Sequence, residues 1–143
     1  MNTTHYYLIT VVLVLLIWRT CAAVKRSRER KQRDFQRKLE TVLLPRETVK
    51  AVCPQKKGRW ILTSRRLLTE TKKGFTALDI KDIKSAQGIT RDGKRTTVPE
   101  KMAQLTIKAD TEHCLQNTGV DFEALAKELF AQLKRHRAKT RKK

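Results

Sequence analysis

The chain has 143 residues, of which 33 are Lys or Arg and 14 are Asp or Glu, so its formal net charge is +19. When the first apolar segment is set aside, about 120 residues remain, which leaves room for no more than one small domain and a linker. A charge of this size is far beyond what solubility requires. It predicts attraction to a polyanion, either an anionic membrane surface or the phosphate backbone of a nucleic acid.

The first element along the chain is an apolar segment, residues 6–24. It has about the 20 residues that an α-helix needs to cross the hydrocarbon of a bilayer. Residues 1–5 contain no Lys or Arg, whereas a basic block follows the segment: Lys25, Arg26, Arg28, Arg30, Lys31 and Arg33. An excess of Lys and Arg marks the cytoplasmic end of a membrane helix. We therefore predict a single-pass anchor in the cell membrane, with the N-terminus outside and the basic block beside the anionic cytoplasmic leaflet.

A cleaved secretory signal is the alternative interpretation of this segment, because Cys21, Ala22 and Ala23 offer small residues for cleavage. A secretory signal carries its positive charge before the apolar core, and here the charge follows the core. This asymmetry favours the anchor. A cytoplasmic domain lies in a reducing compartment, so Cys53 and Cys114 are predicted to be free thiols.

Residues 25–44 are predicted to form a helical stalk that continues the anchor. The segment has no Gly or Pro, and its apolar side chains recur at helical spacing: Phe35, Leu39, Val42 and Leu43. Pro45 is expected to end the helix, since proline disfavours helical backbone at the residue before it. This apolar stripe is narrower and shorter than the stripe of a typical dimerising coiled coil, so the pattern favours a stalk over a coiled-coil dimer.

Beyond Pro45 the apolar spacing changes to the two-residue period of β-strands. Seven strands are predicted, over residues 49–53, 60–63, 67–71, 75–78 with Ile80, 83–87, 102–109 and 112–116. Pro54 is expected to close the first strand. Asp92 and Gly93 form the strongest hairpin signal in the chain, at residues 91–94.

The pattern returns to helical spacing near the C-terminus. Thr118 or Asp121 is predicted to cap a helix whose apolar stripe is wide and unbroken: Phe122, Leu125, Ala126, Leu129, Phe130 and Leu133. Such a stripe packs on another apolar surface, and the open end of a small curved sheet supplies one. Short antiparallel strands followed by one terminal helix predict an α+β domain.

Three stretches carry a familiar pattern. Residues 62–68 read LTSRRLL, residues 78–85 read LDIKDIKS, and residues 45–49 read PRETV. The first resembles a stretch of bacterial pleckstrin-homology-like (PH-like) domains, including the GRAM-type group, in which a strand ending in LTxxRL turns into the next. The second resembles the following strand and bend of those domains. The third resembles the lead-in to the first strand of those domains, with Arg46 where Gly is common.

The resemblance covers residues 45–136. It implies a seven-stranded, curved antiparallel β-sandwich or barrel that is plugged by a C-terminal amphipathic helix. In this organisation residues 1–24 are a short N-terminal tail and the anchor, residues 25–44 are the stalk, and residues 137–143 are a basic tail.

The resemblance also implies a candidate ligand site. Many pleckstrin-homology domains that bind phosphoinositides carry the pattern K-x(n)-[K/R]-x-R across their first hairpin, and Lys50, Lys57 and Arg59 match it, with Lys56 adjacent. Gly58 is expected to allow a close approach of the backbone. The alternative is a solvated charged face, because such matches are common in a chain this basic.

Catalytic and metal-binding patterns are absent from the sequence. His5, His113 and His136 are scattered without metal-ligand spacing. Cys114 lies beside His113 but on the opposite face of its strand, and it is predicted to be a small inward-facing residue. Trp60 is predicted to lie in the core. We therefore expect a non-enzymatic protein without a cofactor or metal.

The leading functional hypothesis is a membrane-tethered PH-like module beside the cytoplasmic leaflet, with an anionic lipid headgroup or a membrane protein as its partner. The alternative is a tethered adaptor that binds nucleic acid or ribosomes through the basic residues 134–143. A third hypothesis is an assembly role through exposed sheet edges.

Overall fold

The structure is a computed structural model that describes residues 3–140, with side chains from Tyr6 onward. It divides after Val42 into two compact units, a helix and a β-sheet domain. Residues 1–2 of the predicted N-terminal tail and residues 141–143 of the predicted basic tail lie outside the described part. The predicted α+β class is confirmed.

Helix α1, Thr3–Val42, is one continuous helix of 40 residues that contains both the predicted anchor and the predicted stalk. At a rise of 1.5 Å per residue it is about 60 Å long. The helix ends before Leu43, since Pro45 disfavours helical backbone at the residue that precedes it. The predicted helix over residues 25–44 is therefore confirmed to within two residues.

Within the described residues, α1 is the one helix that is long and apolar enough to cross a membrane. Its most apolar window of 18 residues has a mean hydropathy of 2.2, and none of that window is buried. The large apolar side chains from Tyr6 to Trp18 are each at least 47% exposed. A contiguous apolar surface of this extent is unfavourable in water, and a bilayer is the environment that its length and composition suit.

Four strands in chain order form the first sheet: β1 Val49–Gln55, β2 Gly58–Thr63, β3 Arg66–Thr71 and β4 Gly74–Asp79. All neighbours are antiparallel, and two-residue turns connect β1 to β2 and β3 to β4. Pro54 lies inside β1, so the prediction that it closes this strand is wrong. Proline is tolerated there because β1 is an edge strand, which has a neighbour on one side only.

The second sheet has the order β6-β5-β7-β8 and contains β5 Ser85–Ile89, β6 Arg95–Thr96, β7 Gln104–Lys108 and β8 Glu112–Gln116. The predicted Asp-Gly hairpin is confirmed. Gly93 has a φ of +77° at its tip, and the N–H of Thr90 donates to the carbonyl of Lys94 at 2.9 Å. The returning arm of this hairpin is β6, so the described residues contain eight strands where seven were predicted.

Strand boundaries differ from the prediction where short 3-10 turns intervene. Ile80 lies in such a turn and not in β4, and β5 begins at Ser85, two residues beyond Ile83. Met102 directly follows a second turn, Pro99–Lys101, and precedes β7. All three apolar side chains are buried, which explains why they contribute to the apolar pattern without taking strand backbone.

Helix α2, Val120–Thr140, begins differently from the prediction that Thr118 or Asp121 caps it. The N–H groups of Phe122 and Glu123 donate to the carbonyl of Gly119 at 3.1 and 3.2 Å, so Gly119 holds the cap position, with a φ of +115°. The hydroxyl of Thr118 donates to the carbonyl of Pro54 at 3.1 Å instead.

One cluster of buried apolar side chains joins both sheets and α2. The predicted stripe of α2 is confirmed as part of it, with Phe130 only partly buried. Among its partners are Leu62 and Leu67 of the first sheet and Leu105, Ile107 and Leu115 of the second. Trp60 packs against this cluster but is only half-buried, and its ring meets that of His113 edge-on, with centroids 5.6 Å apart.

The cysteines Cys21, Cys53 and Cys114 are free, as predicted for the latter two. Cys114 is exposed, so the prediction that it faces inward is wrong. Its neighbours in β8, His113 and Leu115, take the more buried positions, and alternation along a strand puts the residue between them on the other face.

Candidate anion-binding cleft

The lead-in to β1 and the turn between β2 and β3 are joined by a buried ion pair. Arg66 donates from Nε to Oε1 of Glu47 at 3.1 Å and from Nη2 to Oε2 at 2.6 Å, and the Glu47 side chain is fully buried. The Thr63 hydroxyl donates to the same carboxylate, and the N–H of Leu44 donates to Oε2 at 2.8 Å. These donors, Arg66 foremost, lower the pKa of Glu47 from 4.5 to about 2. In return, hydrogen bonding to Glu47 raises the pKa of Arg66.

Glu47, Thr63 and Arg66 are also positions that carry the PH-like resemblance. Their side chains are occupied with one another, and the Thr63 hydroxyl also accepts the N–H of Arg66 at 2.9 Å. These positions therefore fix the turn between β2 and β3, and it is the exposed neighbour Arg65 that this turn presents to solvent.

A tight turn leads into this network. The N–H of Glu47 donates to the carbonyl of Leu44 at 3.0 Å, with Pro45 and Arg46 at the two central positions. Arg46 has a φ of +64°, in the left-handed region that a type II turn requires at its second central position. Glycine adopts this conformation without strain, so a glycine would suit the position that Arg46 occupies.

A cleft of about 650 Å³ lies among the start of β1, the β2–β3 turn, the end of β4 and the C-terminal half of α2. We call it the basic cleft. Five cationic side chains line it: Lys50, Arg65, Lys81, Arg135 and Lys139. The carboxylates of Asp79 and Glu128 also line it, so five positive and two negative groups give a formal charge of +3 when His136 is neutral.

The backbone geometry of the first sheet explains how Lys50, Arg65 and Lys81 come to line the basic cleft. The register between β1 and β2 shifts between Val49 and Ala51, which makes Lys50 an extra, bulged residue. A bulge leaves its residue outside the regular ladder and redirects the side chain. The carbonyl of Arg65 accepts the N–H of Ile80 at 3.0 Å, which joins the β2–β3 turn to the end of β4. The bulge, the turn and the strand end therefore meet at one edge of the domain.

Helix α2 supplies the other wall through a second stripe. Glu128, Gln132, Arg135 and Lys139 follow the spacing i, i+4, i+7 and i+11, so they share one face of the helix. This polar face is distinct from the apolar stripe that packs in the core. It brings two cations, a carboxylate and an amide to the cleft.

Gln132 lines the cleft and joins α2 to the end of β2. Its Nε2 donates to the carbonyl of Thr63 at 3.1 Å and to Oε1 of Glu128 at 3.4 Å. Its Oε1 is shielded from solvent and has no hydrogen-bond partner among the described residues. A buried acceptor without a donor is destabilising by about 1–3 kcal/mol, so this oxygen is a weak point of the contact between α2 and the first sheet.

The structure separates the four residues that were predicted to form an anion site. Lys50 lines the basic cleft, whereas Lys56 and Lys57 form the two-residue turn at the far end of β1 and β2. Six positions at about 3.3 Å each put Lys50 roughly 20 Å from Lys56. Arg59 lies next to that turn and pairs with Glu70 at 3.8 Å. The predicted set is therefore divided between the two ends of one hairpin.

Gly58 has a packing role in the same hairpin. Its φ is +122°, and a Cβ at this position would lie 2.3 Å from the carbonyl oxygen of Glu70 in β3. The close backbone approach expected from the sequence is therefore an approach between two strands of the domain.

Sequence reasoning missed most of the cleft, namely Arg65, Lys81, Gln132, Arg135 and Lys139. The residues on α2 carried a usable signal, because their helical spacing marks a second face beside the predicted apolar stripe. Arg65 and Lys81 carried none. They lie 16 positions apart along the chain and share the cleft only because β3 and β4 run out from one end of the sheet and back to it.

The predicted membrane-surface block, Lys25, Arg26, Arg28, Arg30, Lys31 and Arg33, lies on α1 with every side chain exposed. Successive residues of an α-helix are rotated by about 100°, so these positions are distributed around the helix and not along one face. Arg33 also lies 3.9 Å from Glu29, an exposed pair that contributes little to stability. The block therefore offers positive charge in every direction around the helix.

Comparison with known protein families, with curated proteins and with solved structures finds no match to this chain. Two features of the molecule itself bear on its function. One is the exposed apolar helix with its basic block, and the other is the basic cleft.

Proposed function

We propose that this protein is a single-pass membrane protein whose PH-like domain is a non-catalytic binding module in the cytoplasm. Its ligand is an anionic group at the membrane, carried by a lipid headgroup or by the tail of a membrane protein. The observation that carries this proposal is the basic cleft, in which cations from the first sheet face cations from α2.

The PH-like part of the proposal is supported by the order of the elements. Antiparallel strands form two sheets, and a C-terminal helix packs its apolar stripe into the core that both sheets share. The network of Glu47, Thr63 and Arg66 gives a structural reason for the residues on which the resemblance rests.

The membrane part of the proposal is supported by α1. Its apolar window has the length of a membrane span, and the basic block follows on the C-terminal side. This order favours an external N-terminus. Each Lys or Arg held near an anionic leaflet contributes on the order of 1 kcal/mol to membrane association, so the block also holds the adjoining chain near the cytoplasmic surface.

The basic cleft suits an anion better than the β1–β2 turn does. Lys56 and Lys57 protrude from an exposed turn, while the cations of the cleft line a concave surface, where the positive potential is reinforced. The turn that carries Arg65 is fixed by the pair of Arg66 with Glu47, so less conformational entropy is lost on binding.

The test uses the full chain held in nanodiscs of zwitterionic phosphatidylcholine. Sucrose-loaded vesicles with a graded content of phosphatidylglycerol are added and sedimented, and the protein that sediments with them is measured. Arg65→Glu together with Arg135→Glu should weaken this binding by about tenfold or more, because both walls of the cleft then repel an anion.

The matched control is Lys72→Glu together with Lys73→Glu. It changes the net charge by the same amount at the β3–β4 turn, outside the cleft, and should bind almost as the wild type does. Full binding by the cleft variant would overturn the proposal. Equal losses in both variants would also overturn it, since net charge alone would then account for the binding.

A further inference from the structure

The outer edge of β4 is open to pairing with a further strand. We propose that this edge binds an extended, acidic segment of a partner protein, which adds to the first sheet as a fifth, antiparallel strand. The surface is separate from the basic cleft, with Asp79 as their one common residue. The inference therefore goes beyond the proposed function and stands independently of it.

The two sheets have four edges, and three of them are protected in ways that natural β-proteins use. β1 contains Pro54 and the bulge at Lys50. β6 is only two residues long, and one of them is Arg95. In β8 the Gln55 side chain covers one end of the edge. Its Nε2 donates to the carbonyl of Gln116 at 2.8 Å, and its Oε1 accepts the N–H of Gln116 at 3.2 Å.

β4 has none of these protections. Its six residues pair with β3 in an unbroken register, and the strand contains no proline, lysine or arginine. Thr76 and Ala77 near its centre are exposed. A regular, exposed edge of this kind is a template for the addition of another strand.

The hairpin geometry shows which backbone groups of β4 point away from β3. A two-residue turn joins the strands, so the pair that flanks it, Thr71 with Gly74, is hydrogen-bonded, and bonded pairs recur at every second position. Ala77, opposite Leu68, lies between two such pairs. Its N–H and C=O therefore point to the free edge, and neither has a hydrogen-bond partner among residues 3–140.

The charges around the edge favour an acidic partner. Lys72 and Lys73 form the turn at the start of β4, both are exposed, and neither takes part in a salt bridge among the described residues. At the other end of the strand Asp79 pairs with Lys81 at 3.5 Å. The uncompensated positive charge therefore lies where the C-terminal end of an antiparallel strand would lie.

The side chains of β4 add an apolar requirement. Leu78 is half-buried and packs against the core cluster that both sheets share with α2, so an apolar neighbour on the added strand would extend that cluster. Ala77 points to the opposite face and is small, which leaves room for a larger side chain beside it. The segment that fits best contains β-branched residues and ends in carboxylates.

Other occupants fit this edge less well. A second copy of the chain carries the same net charge of +19 and is repelled, and its own β4 would bring a single carboxylate, that of Asp79. A nucleic acid supplies negative charge but has no peptide backbone to pair with Ala77.

The charge requirement is tested by calorimetry on the full chain in phosphatidylcholine nanodiscs. The probe is a peptide of alternating Thr and Val that ends in Glu-Glu, and the matched probe ends in Lys-Lys. We expect the Glu-ended peptide to bind at least about tenfold more tightly. Lys72→Glu with Lys73→Glu should reduce this preference to about twofold or less. Lys56→Glu with Lys57→Glu changes the net charge equally at the β1–β2 turn and should preserve it.

The backbone pairing is tested separately. Ala77→Pro removes the outward N–H without removing a bond to β3, and proline is tolerated on an edge strand, so binding of the Glu-ended peptide should weaken at least about tenfold. Peptides with N-methyl groups on alternate residues leave the protein unchanged. Only one of the two alternate sets faces β4, so methylation of that set should abolish binding and methylation of the other set should not. Binding of the unmethylated peptide should also slow hydrogen exchange of the Ala77 amide.

Several results would overturn this proposal: equal affinity for the two peptides, equal effects of the two methylation patterns, or full binding to Ala77→Pro. Thermal unfolding checks that Ala77→Pro remains folded, and the methylated peptides decide the question if it does not. Cross-linked dimers in detergent that Ala77→Pro abolishes, without binding of the Glu-ended peptide, would also overturn the acidic partner. They would identify a second copy of the chain as the occupant of the edge.

Discussion

Arg66 binds both carboxylate oxygens of Glu47, from Nε at 3.1 Å and from Nη2 at 2.6 Å, although 19 positions separate the two residues in the chain. This pair joins the entry of the β-domain to the turn between its second and third strands. Arg65 lies on the same turn and lines the basic cleft, so the pair also fixes the position of this part of the cleft wall.

Glu47→Gln should destabilise the β-domain by about 3 kcal/mol, because it leaves the mostly buried Arg66 without its counter-ion. The free energy of unfolding is measured by urea denaturation of the full chain in detergent micelles, with Trp60 fluorescence in a Trp18→Phe background. Glu70→Gln is the matched control. Its partner Arg59 is 3.8 Å away and about one third exposed, so the loss should stay below about 1 kcal/mol. Equal losses would contradict this account of the Glu47 pair.

Acid should weaken the domain through the same carboxylate. The folded state lowers the pKa of Glu47 from 4.5 to about 2, so the unfolded state binds the proton more readily between these values. The stabilisation of about 3 kcal/mol is therefore complete above about pH 5, decreases as the pH falls below 4.5 and is lost near pH 2. Urea denaturation at a series of pH values should show this decrease in the wild type relative to Glu47→Gln. Parallel curves for the two proteins would contradict the assignment.

Arg46→Gly should stabilise the domain by about 0.5–1 kcal/mol. The left-handed conformation at φ +64° is unfavourable by about 1–2 kcal/mol for a residue with a Cβ, and the greater entropy of glycine in the unfolded chain offsets part of the gain. Arg91→Gly is the control. It lies in another turn without a positive φ, so there the entropy effect alone should destabilise. A loss of stability in Arg46→Gly would contradict this prediction. It would show that the Arg46 side chain stabilises the domain by more than the left-handed backbone at this residue destabilises it.

Gly58→Ala should destabilise the domain by about 3 kcal/mol, and Gly74→Ala by only about 1 kcal/mol. The two glycines have similar φ values, +122° and +135°, so backbone strain is matched between them. They differ in the room available for a Cβ atom. A Cβ at Gly58 would lie 2.3 Å from the carbonyl oxygen of Glu70, whereas a Cβ at Gly74 would have no neighbouring atom within 4 Å. Urea denaturation of both variants separates the effect of the contact from that of the dihedral angle. Equal losses would indicate that the β2–β3 approach is not tight.

The sequence was sufficient for the elements whose signals are local. Period-two spacing located the strands, helical spacing located the stripe of α2, and Asp92 with Gly93 located a hairpin, because each depends on neighbours in the chain. The prediction that Pro54 closes β1 is wrong for the opposite reason. Whether a proline interrupts a strand depends on whether that strand lies at an edge, which pairing between distant segments decides.

The candidate site was harder to predict than the fold. The spacing of Lys50, Lys57 and Arg59 matched a linear pattern, but the register of β1 with β2 puts Lys50 at one end of the hairpin and the other two near its turn. Arg135 and Lys139, which line the cleft together with Lys50, follow it by more than 80 positions. Only the docking of α2 brings these residues together, and no local pattern encodes that docking.

The strict chain order of β1 to β4 has a consequence during synthesis. Every pairing in the first sheet joins consecutive strands, and such local contacts form quickly. The apolar side chains of this sheet, Leu62 and Leu67 among them, share their cluster with α2, which is made after both sheets. At about 5–20 residues per second, Thr140 follows Asp79 by about 3–12 seconds. During those seconds the apolar face of the first sheet is not yet covered by α2. The nascent protein is then open to aggregation and to chaperone binding, until α2 packs on that face.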